Sequence, residues 1–249
     1  MTDDTKYLYG DKIGRVELIS HYGDDKTVVN AARVSFGADN DLPLDARDKK
    51  LIKYLIKHRH TSTLEHCGVT FKFTVPLYVR SQHHRHRTWS YNEISRRYTS
   101  EDIKFYSPSL FRSQHTSNRQ ASNAEDLINP KMTDAPLFKN PETGHDMSYT
   151  EDYASGAFRV HHEESLRLYN NLIKVGVCRE QARGILPQNM YTQYYGTVNL
   201  NNLMKFISLR THEGAQWEIQ KVAEACLEFA REIWPETIKA YDEVQNEIL

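Results

Sequence analysis

Residues 68–75, GVTFKFTV, place Val69, Phe71, Phe73 and Val75 on one side of an extended chain and Thr70, Lys72 and Thr74 on the other. That period of two predicts a half-buried strand, which needs a partner to pair with and a layer to cover its apolar face. Its sequence neighbours are helical. Pro76 opens a short helix, at a position where its missing N–H costs nothing. Upstream, residues 27–36 and 45–57 carry apolar positions at helical spacing, with Leu51, Tyr54, Leu55 and the stem of His58 expected on one face. Downstream, 151–176 and 178–186 read as helices, the second ended by Pro187, and 190–198 (MYTQYYGTV) as a strand. Asn199 is an N-cap type and opens a helix over 199–210. The clearest stripe lies in 215–233, through Ile219, Val222, Ala223, Cys226, Leu227, Ala230 and Ile233, and Pro235 starts a last helix. The expected fold class is α+β: a single helix-rich domain over residues 1–249 with a small mixed or antiparallel sheet, lacking the strict strand–helix alternation of a doubly wound fold. Residues 107–150 depart from this pattern, with Pro108, Pro130, Pro136 and Pro141 among Ser, Asn, Asp and Gly. They read as a long excursion or lid, because neither flank is self-sufficient.

Composition narrows the class. Hydrophobic residues at 39% with 15 Tyr and 9 Phe can build a packed core, and 32 Lys+Arg against 33 Asp+Glu leave a net charge of −1. No global positive field is available to hold nucleic acid. The mean hydropathy is −0.69, and no run approaches the ~20 apolar residues of a membrane helix. The beginning, MTDDTKYLYGDK, lacks the apolar stretch of a signal peptide. Cys67, Cys178 and Cys226 lie far apart without a CxxC, as expected for free thiols in a reducing compartment. A soluble cytoplasmic protein with no membrane partner is expected.

The densest anomaly is residues 80–98, RSQHHRHRTWSYNEISRRY. Arg80, Arg85, Arg87, Arg96 and Arg97 against Glu93 leave an excess of four positive charges, interleaved with His83, His84 and His86. One reading is a solvated basic face. Against it, Arg85 and Arg87 alternate with His86, which suits a bent or extended backbone splaying donors to both sides, and Trp89, Tyr91 and Tyr98 give the segment a reason to pack. Guanidinium groups held against aromatics suit phosphates and planar rings. An Arg/aromatic strip binding single-stranded nucleic acid is the rival from another class. Metal is disfavoured, here and at His58-Arg59-His60, because each histidine has an arginine neighbour that repels a dication. Cys67 beside His66 could form a nucleophilic pair, although a cysteine opening an apolar strand is more often a core residue. Arg183 and Arg210, each near a helix end, could simply complement the macrodipole.

The string Arg85-His86-Arg87, seven residues, then Ser95 resembles the signature of the flavin-dependent thymidylate synthases, and the extended form Ser90-Tyr91-Asn92-Glu93-Ile94-Ser95-Arg96-Arg97-Tyr98 strengthens the match. Supporting blocks follow in order: Ala31-Ala32-Arg33-Val34-Ser35-Phe36, His58-x-His60 with Glu65-His66, Arg183-x-x-Leu186-Pro187, Asn199, Leu203, Arg210, and Ala215-Gln216-Trp217-Glu218-Ile219. The similarity spans about residues 14–235, least well over 107–150.

This resemblance implies synthesis of dTMP from dUMP, with 5,10-methylenetetrahydrofolate as carbon donor, NADPH as reductant and FAD as carrier, in a homotetramer whose active sites form between subunits. It implies hydride delivery from reduced flavin without a cysteine adding to the pyrimidine. By the same resemblance His60, Ser62, Arg85, His86, Arg87, Glu93, Asn199, Asn201 and Lys205 fall at FAD positions. Gln82, Arg85, Glu93, Ile94, Ser95, Arg96, Arg97, Arg183 and Arg210 fall at dUMP positions, with backbone N–H groups near Ile94–Arg96 as an anion nest. Arg210 is implied as the catalytic residue, against the uracil edge; Ser95 has no evident general base and suits phosphate better than a nucleophilic role. The chain departs from the pattern at Asn201, where relatives often carry Arg, at Lys205, where Asn is common, and at Gly214, where many carry His.

Overall fold

A computed structural model describes residues 4–100, 102–118, 122–132, 138–139, 146–147 and 153–248. Among these residues the strands are β1 (Thr5–Tyr7), β2 (Arg15–Tyr22), β3 (Gly68–Pro76), β4 (Ser90–Glu93), β5 (Phe111–Gln114), β6 (Ser122–Ile128), β7 (Phe138–Lys139), β8 (Asp146–Met147) and β9 (Tyr191–Asn199). The helices are α1 (Asp25–Arg33), α2 (Ala46–Lys57), α3 (Leu77–His83), α4 (Ala154–Lys174), α5 (Arg179–Ala182), α6 (Leu200–Arg210), α7 (Trp217–Ile233) and α8 (Pro235–Ile248). They form two compact units: a first of residues 1–75, 79–93 and 192–249, and a second of 76–78 and 94–191.

The first unit is built on a five-stranded sheet of order β1-β2-β3-β9-β4. β2 pairs antiparallel with both β1 and β3, and β4 with β9. The Leu200 N–H donates to the Cys67 carbonyl at 2.9 Å and the Thr70 and Thr197 hydroxyls meet at 2.9 Å, a register that makes β3 and β9 antiparallel as well. The sheet is thus antiparallel throughout, within the expected α+β class. β1, β2 and β4 were not legible as strands, because short or polar segments lack a clean alternation. The expected face of β3 is buried at Val69, Phe71, Phe73 and Val75, but Thr74 is buried too. β3 has a strand on each side, and its C-terminal half is covered on both faces.

Helices α6 and α7 cover the face that carries Phe71 and Phe73. Phe71 packs on Phe229 at 5.6 Å between centroids, and Phe206 is fully buried. Within the α7 stripe, Ile219, Val222, Ala223, Cys226 and Ala230 are buried, as their spacing predicts, while Leu227 and Ile233 are only partly so. Gly196 of β9 leaves room for two rings, since a Cβ there would lie 2.9 Å from Phe73 and 3.2 Å from Trp89.

The buried side of α2 differs from the expected one. Asp48, Ile52 and Leu55 point inward, while Tyr54 and His58 are exposed and lie 4.3 Å apart by ring centroid. Asp48 can turn inward because Lys26, at 3.2 Å, and Arg33 neutralise it. The other side of the helix carries Lys49, Lys53 and Lys57, which pair with Glu236, Glu243 and Glu247 of α8. Asp25 holds the start of α8, its buried carboxylate accepting from the Glu236 and Thr237 N–H groups at 3.0 and 2.9 Å and from the Thr237 hydroxyl at 2.6 Å.

The second unit centres on α4 and α5, around Tyr169, Ala182, Leu186 and Met190. The helix expected over 178–186 breaks into α5 and a 3-10 turn, Arg183–Ile185. The excursion is not wholly irregular: β5 and β6 pair antiparallel from Phe111↔Ile128 to Gln114↔Ser122, and β7 pairs with β8. Pro136 and Pro141 lie outside the described residues.

Candidate functional site

In the first unit, α3 tightens after His83 into three-residue turns, with the Arg85 and His86 N–H groups donating to the Gln82 and His83 carbonyls at 3.3 and 2.9 Å. The expected splay is present: Arg85 and Arg87 are exposed, and His86 is half-buried. His83 is fully buried, its Nδ1 2.8 Å from the Tyr194 hydroxyl and its ring 4.5–4.8 Å from Trp89, Phe206 and Phe73. His84 stacks on Tyr91 at 4.1 Å. Trp89 and Tyr91 give the segment its packing, but Tyr98 is 80% exposed and takes no part. Burial, reinforced by neighbouring histidines and by Arg210, holds His83 well below the usual histidine range. Burial and then the Arg80 charge lower His84.

Arg210 closes α6. Its Nε donates to His86 Nε2 at 3.1 Å. Burial lowers Arg210 from the ordinary arginine value, and burial followed by the Arg210 charge brings His86 down to about 4. His86 is therefore a neutral acceptor at physiological pH, and it orients a half-desolvated guanidinium. Gln82 bonds to Gln216, whose amide donates to Glu218 at 2.8 Å. Glu93 accepts from the Thr192 hydroxyl at 2.7 Å and faces Arg80 at 3.1 Å.

A cavity of about 490 Å³ opens in the same unit where the end of α2 meets α6 and α8. Leu55, Leu64, Met204, Leu209 and Val244 form apolar walls; Lys57, Arg59 and Lys205 bring three cations, and among the described residues no carboxylate lines it. Of the residues expected to hold FAD, Asn201 and Lys205 line this cavity. Asn201 is buried, its amide donating to Glu65 at 2.8 Å. Asn199 caps α6, accepting from the Asn202 N–H at 2.9 Å. His60 heads the 3-10 turn Thr61–His66, and it and Ser62 are exposed. His212 lines the cavity and accepts from the Gly214 N–H at 3.0 Å.

In the second unit, Ile94 is partly exposed, and Ser95 Oγ accepts from the Arg97 N–H at 3.2 Å. Arg96 is buried, and burial lowers its pKa. Arg97 faces Glu180 at 3.8 Å, and Arg183 is exposed at the start of its 3-10 turn.

The family model described as thymidylate synthase complementing protein matches residues 17–236. Over 232 residues the chain is 38% identical to a flavin-dependent thymidylate synthase of Thermus thermophilus, covering 92% of this chain and 76% of that protein. A second relative of that description, from Thermosipho melanesiensis, is 36% identical over 229 residues, covering 92% and 90%. The chain belongs to the flavin-dependent thymidylate synthase family. Its fold is shared with a UMP/dUMP methylase, PolB of Streptomyces cacaoi, solved with 5-Br dUMP, at a TM-score of 0.75 and 31% identity over 96% of this chain and 97% of that one.

Within this family member Cys67 and Cys226 are core residues. Cys67 is fully buried with its Sγ 3.5 Å from the Asp24 carbonyl, and burial, then the Asp24 and Asp25 charges, push its thiol up to about 12. A thiol so displaced supplies almost no thiolate at neutral pH. Cys226 is buried in the α7 stripe, and Cys178 is free and exposed. Among the described residues no helix is long and apolar enough to cross a membrane. The His86–Arg210 bond has no local signal in the sequence, since its residues lie 124 apart, and Arg59 has none beyond its place in His58-Arg59-His60.

Proposed function

We propose that this enzyme converts dUMP to dTMP, drawing its carbon from 5,10-methylenetetrahydrofolate and its reducing equivalents from NADPH through bound FAD. The observation that carries this reading is the half-buried Arg210, held by a neutral histidine of the Arg85-His86-Arg87 turn. A desolvated, oriented cation suits the edge of a pyrimidine on which negative charge develops, because a fixed donor needs no reorganisation when that charge appears.

The donor set fits FAD. Its cavity pairs apolar walls with three cations and, among the described residues, no carboxylate, as an aromatic ligand bearing two phosphates requires. Asn201 and Lys205 would meet it there. His60, Ser62, Arg85, His86, Arg87, Glu93 and Asn199 would complete its binding, some from other subunits of a homotetramer. FAD would supply the hydride, which the protein's side chains cannot. For dUMP, the family resemblance would assign Arg210 to the uracil edge and Gln82, Arg85, Ser95, Arg97 and Arg183 to the phosphate and sugar, with the backbone of Ile94–Arg96 assisting. Arg96 would act through its main chain, since its side chain is buried. The buried Cys67 thiol would not be available to add to the pyrimidine.

The test is anaerobic. The purified protein should show a flavin band near 450 nm that NADPH bleaches at a rate altered by dUMP, and adding methylenetetrahydrofolate should yield dTMP. A colourless protein that takes up neither FAD nor dUMP would overturn the assignment. Light scattering that gives a mass of four chains checks the assembly.

A further inference from the structure

Helix α2 ends in a motif that ordinarily takes glycine. The Arg59 N–H donates to the Ile56 carbonyl at 3.1 Å and the His60 N–H to the Leu55 carbonyl at 2.8 Å, the paired bonds of a Schellman ending. The residue after the cap must then be left-handed, and Arg59 is, with φ +57°. A side chain with a Cβ is disfavoured there, and glycine is the usual occupant. A strained backbone kept at a cavity mouth is grounds for asking what its side chain does.

The Arg59 side chain lines the 490 Å³ cavity together with Lys205. Neither cation has a carboxylate partner among the described residues, whereas Lys57 on the same wall is paired to Glu247 at 3.1 Å. Asn201 adds no charge, and its amide is already committed to Glu65. Two uncommitted cations therefore face a space with apolar walls. We propose that Arg59, with Lys205, anchors the diphosphate of the flavin dinucleotide, its planar guanidinium fork suiting two phosphates in a way that a strain-free glycine cannot. This inference rests on the FAD reading above and makes Arg59 the residue that selects the dinucleotide over the bare isoalloxazine.

The experiment compares full-length apoprotein with its Arg59→Gly, Arg59→Asn and Lys12→Gly variants. Each is titrated with FAD and with riboflavin by calorimetry and unfolded in urea. Lys12 is the control, an exposed residue with φ +60° that does not line the cavity. Arg59→Gly should raise the urea midpoint and weaken FAD about tenfold or more, the effect expected of a lost charge-assisted bond, while leaving riboflavin unchanged. Arg59→Asn, which tolerates the left-handed region without a charge, should lose FAD equally. Lys12→Gly should gain stability with unaltered FAD affinity. An Arg59→Gly protein that is more stable yet binds FAD as the parent does overturns the role, as does an equal loss of FAD and riboflavin. If the parent itself gives no FAD binding, the cofactor reading fails, and that result is distinct from the other two.

Discussion

At the scale of single residues, the site works by withholding charge from some groups and fixing it on another. His83, His84 and His86 share a run with three arginines between Arg80 and Arg87, yet burial lowers the pKa of all three and so favours their neutral forms. Only the arginines then carry charge, and Arg210 gains a directed acceptor in His86. Arg210→Ala should therefore lower dTMP formation by about 10²-fold or more, the cost of a preorganised donor, while FAD remains bound by its visible spectrum; loss of the flavin instead would show the residue to be a cofactor ligand. The thiol at Cys67 makes the opposite case. With its pKa near 12 and its Sγ against the Asp24 carbonyl, Cys67→Ser should keep turnover within about a factor of two, because a hydroxyl can satisfy the same carbonyl. A folded but inactive variant would restore a cysteine mechanism.

At the scale of elements, the helices are held by side chains remote in sequence. Asp24 and Asp45 cap α1 and α2 with reciprocal boxes, which is local chemistry. The first turn of α8 instead takes its cap from Asp25, more than 200 residues away. Asp25→Ala should cost about 1–2 kcal/mol by urea unfolding, the usual range for a lost cap, and hydrogen exchange should quicken first at the start of α8. Unchanged protection at Glu236 and Thr237 would mean that α8 is held by its packing and by the lysine–glutamate ladder to α2. That ladder is solvent-exposed for most of its length and contributes little by comparison.

At the scale of the whole molecule, the buried histidines set a pH dependence. His83, His84, His86 and His162 all have pKa values lowered by burial, against an unfolded value of about 6.5. Between that value and the folded ones the unfolded chain binds more protons, so stability rises with pH and is lost as pH falls. The loss should begin near pH 6.5 and continue towards pH 4, with each such histidine adding at most about 1.4 kcal/mol per pH unit. Urea midpoints from pH 8 to pH 4 measure it. A His83→Phe, Tyr194→Phe double variant removes both ends of the buried bond and should flatten the profile; an unaltered slope would assign the acid sensitivity elsewhere.

Much of the molecule was legible without coordinates. The period-two run of β3, the stripe of α7, the Asn199 cap and the Arg-His-Arg turn are each written within a few neighbouring residues, and short-range sterics and hydrogen bonds decide them. The α+β class and the family follow from those segments and their order. What the chain could not disclose depends on pairs far apart: the buried side of α2, chosen once Lys26 and Arg33 neutralise Asp48, the all-antiparallel register of the first unit, and the His86–Arg210 bond. The role inferred for Arg59 is of the same kind. Its left-handed backbone belongs to the end of one helix, but the cavity that makes it useful is lined also by α6, α8 and the Thr61–His66 turn. Local sequence specifies conformations one turn or one strand at a time; desolvation, which neutralises a histidine or isolates a cation, exists only when distant segments have closed around it.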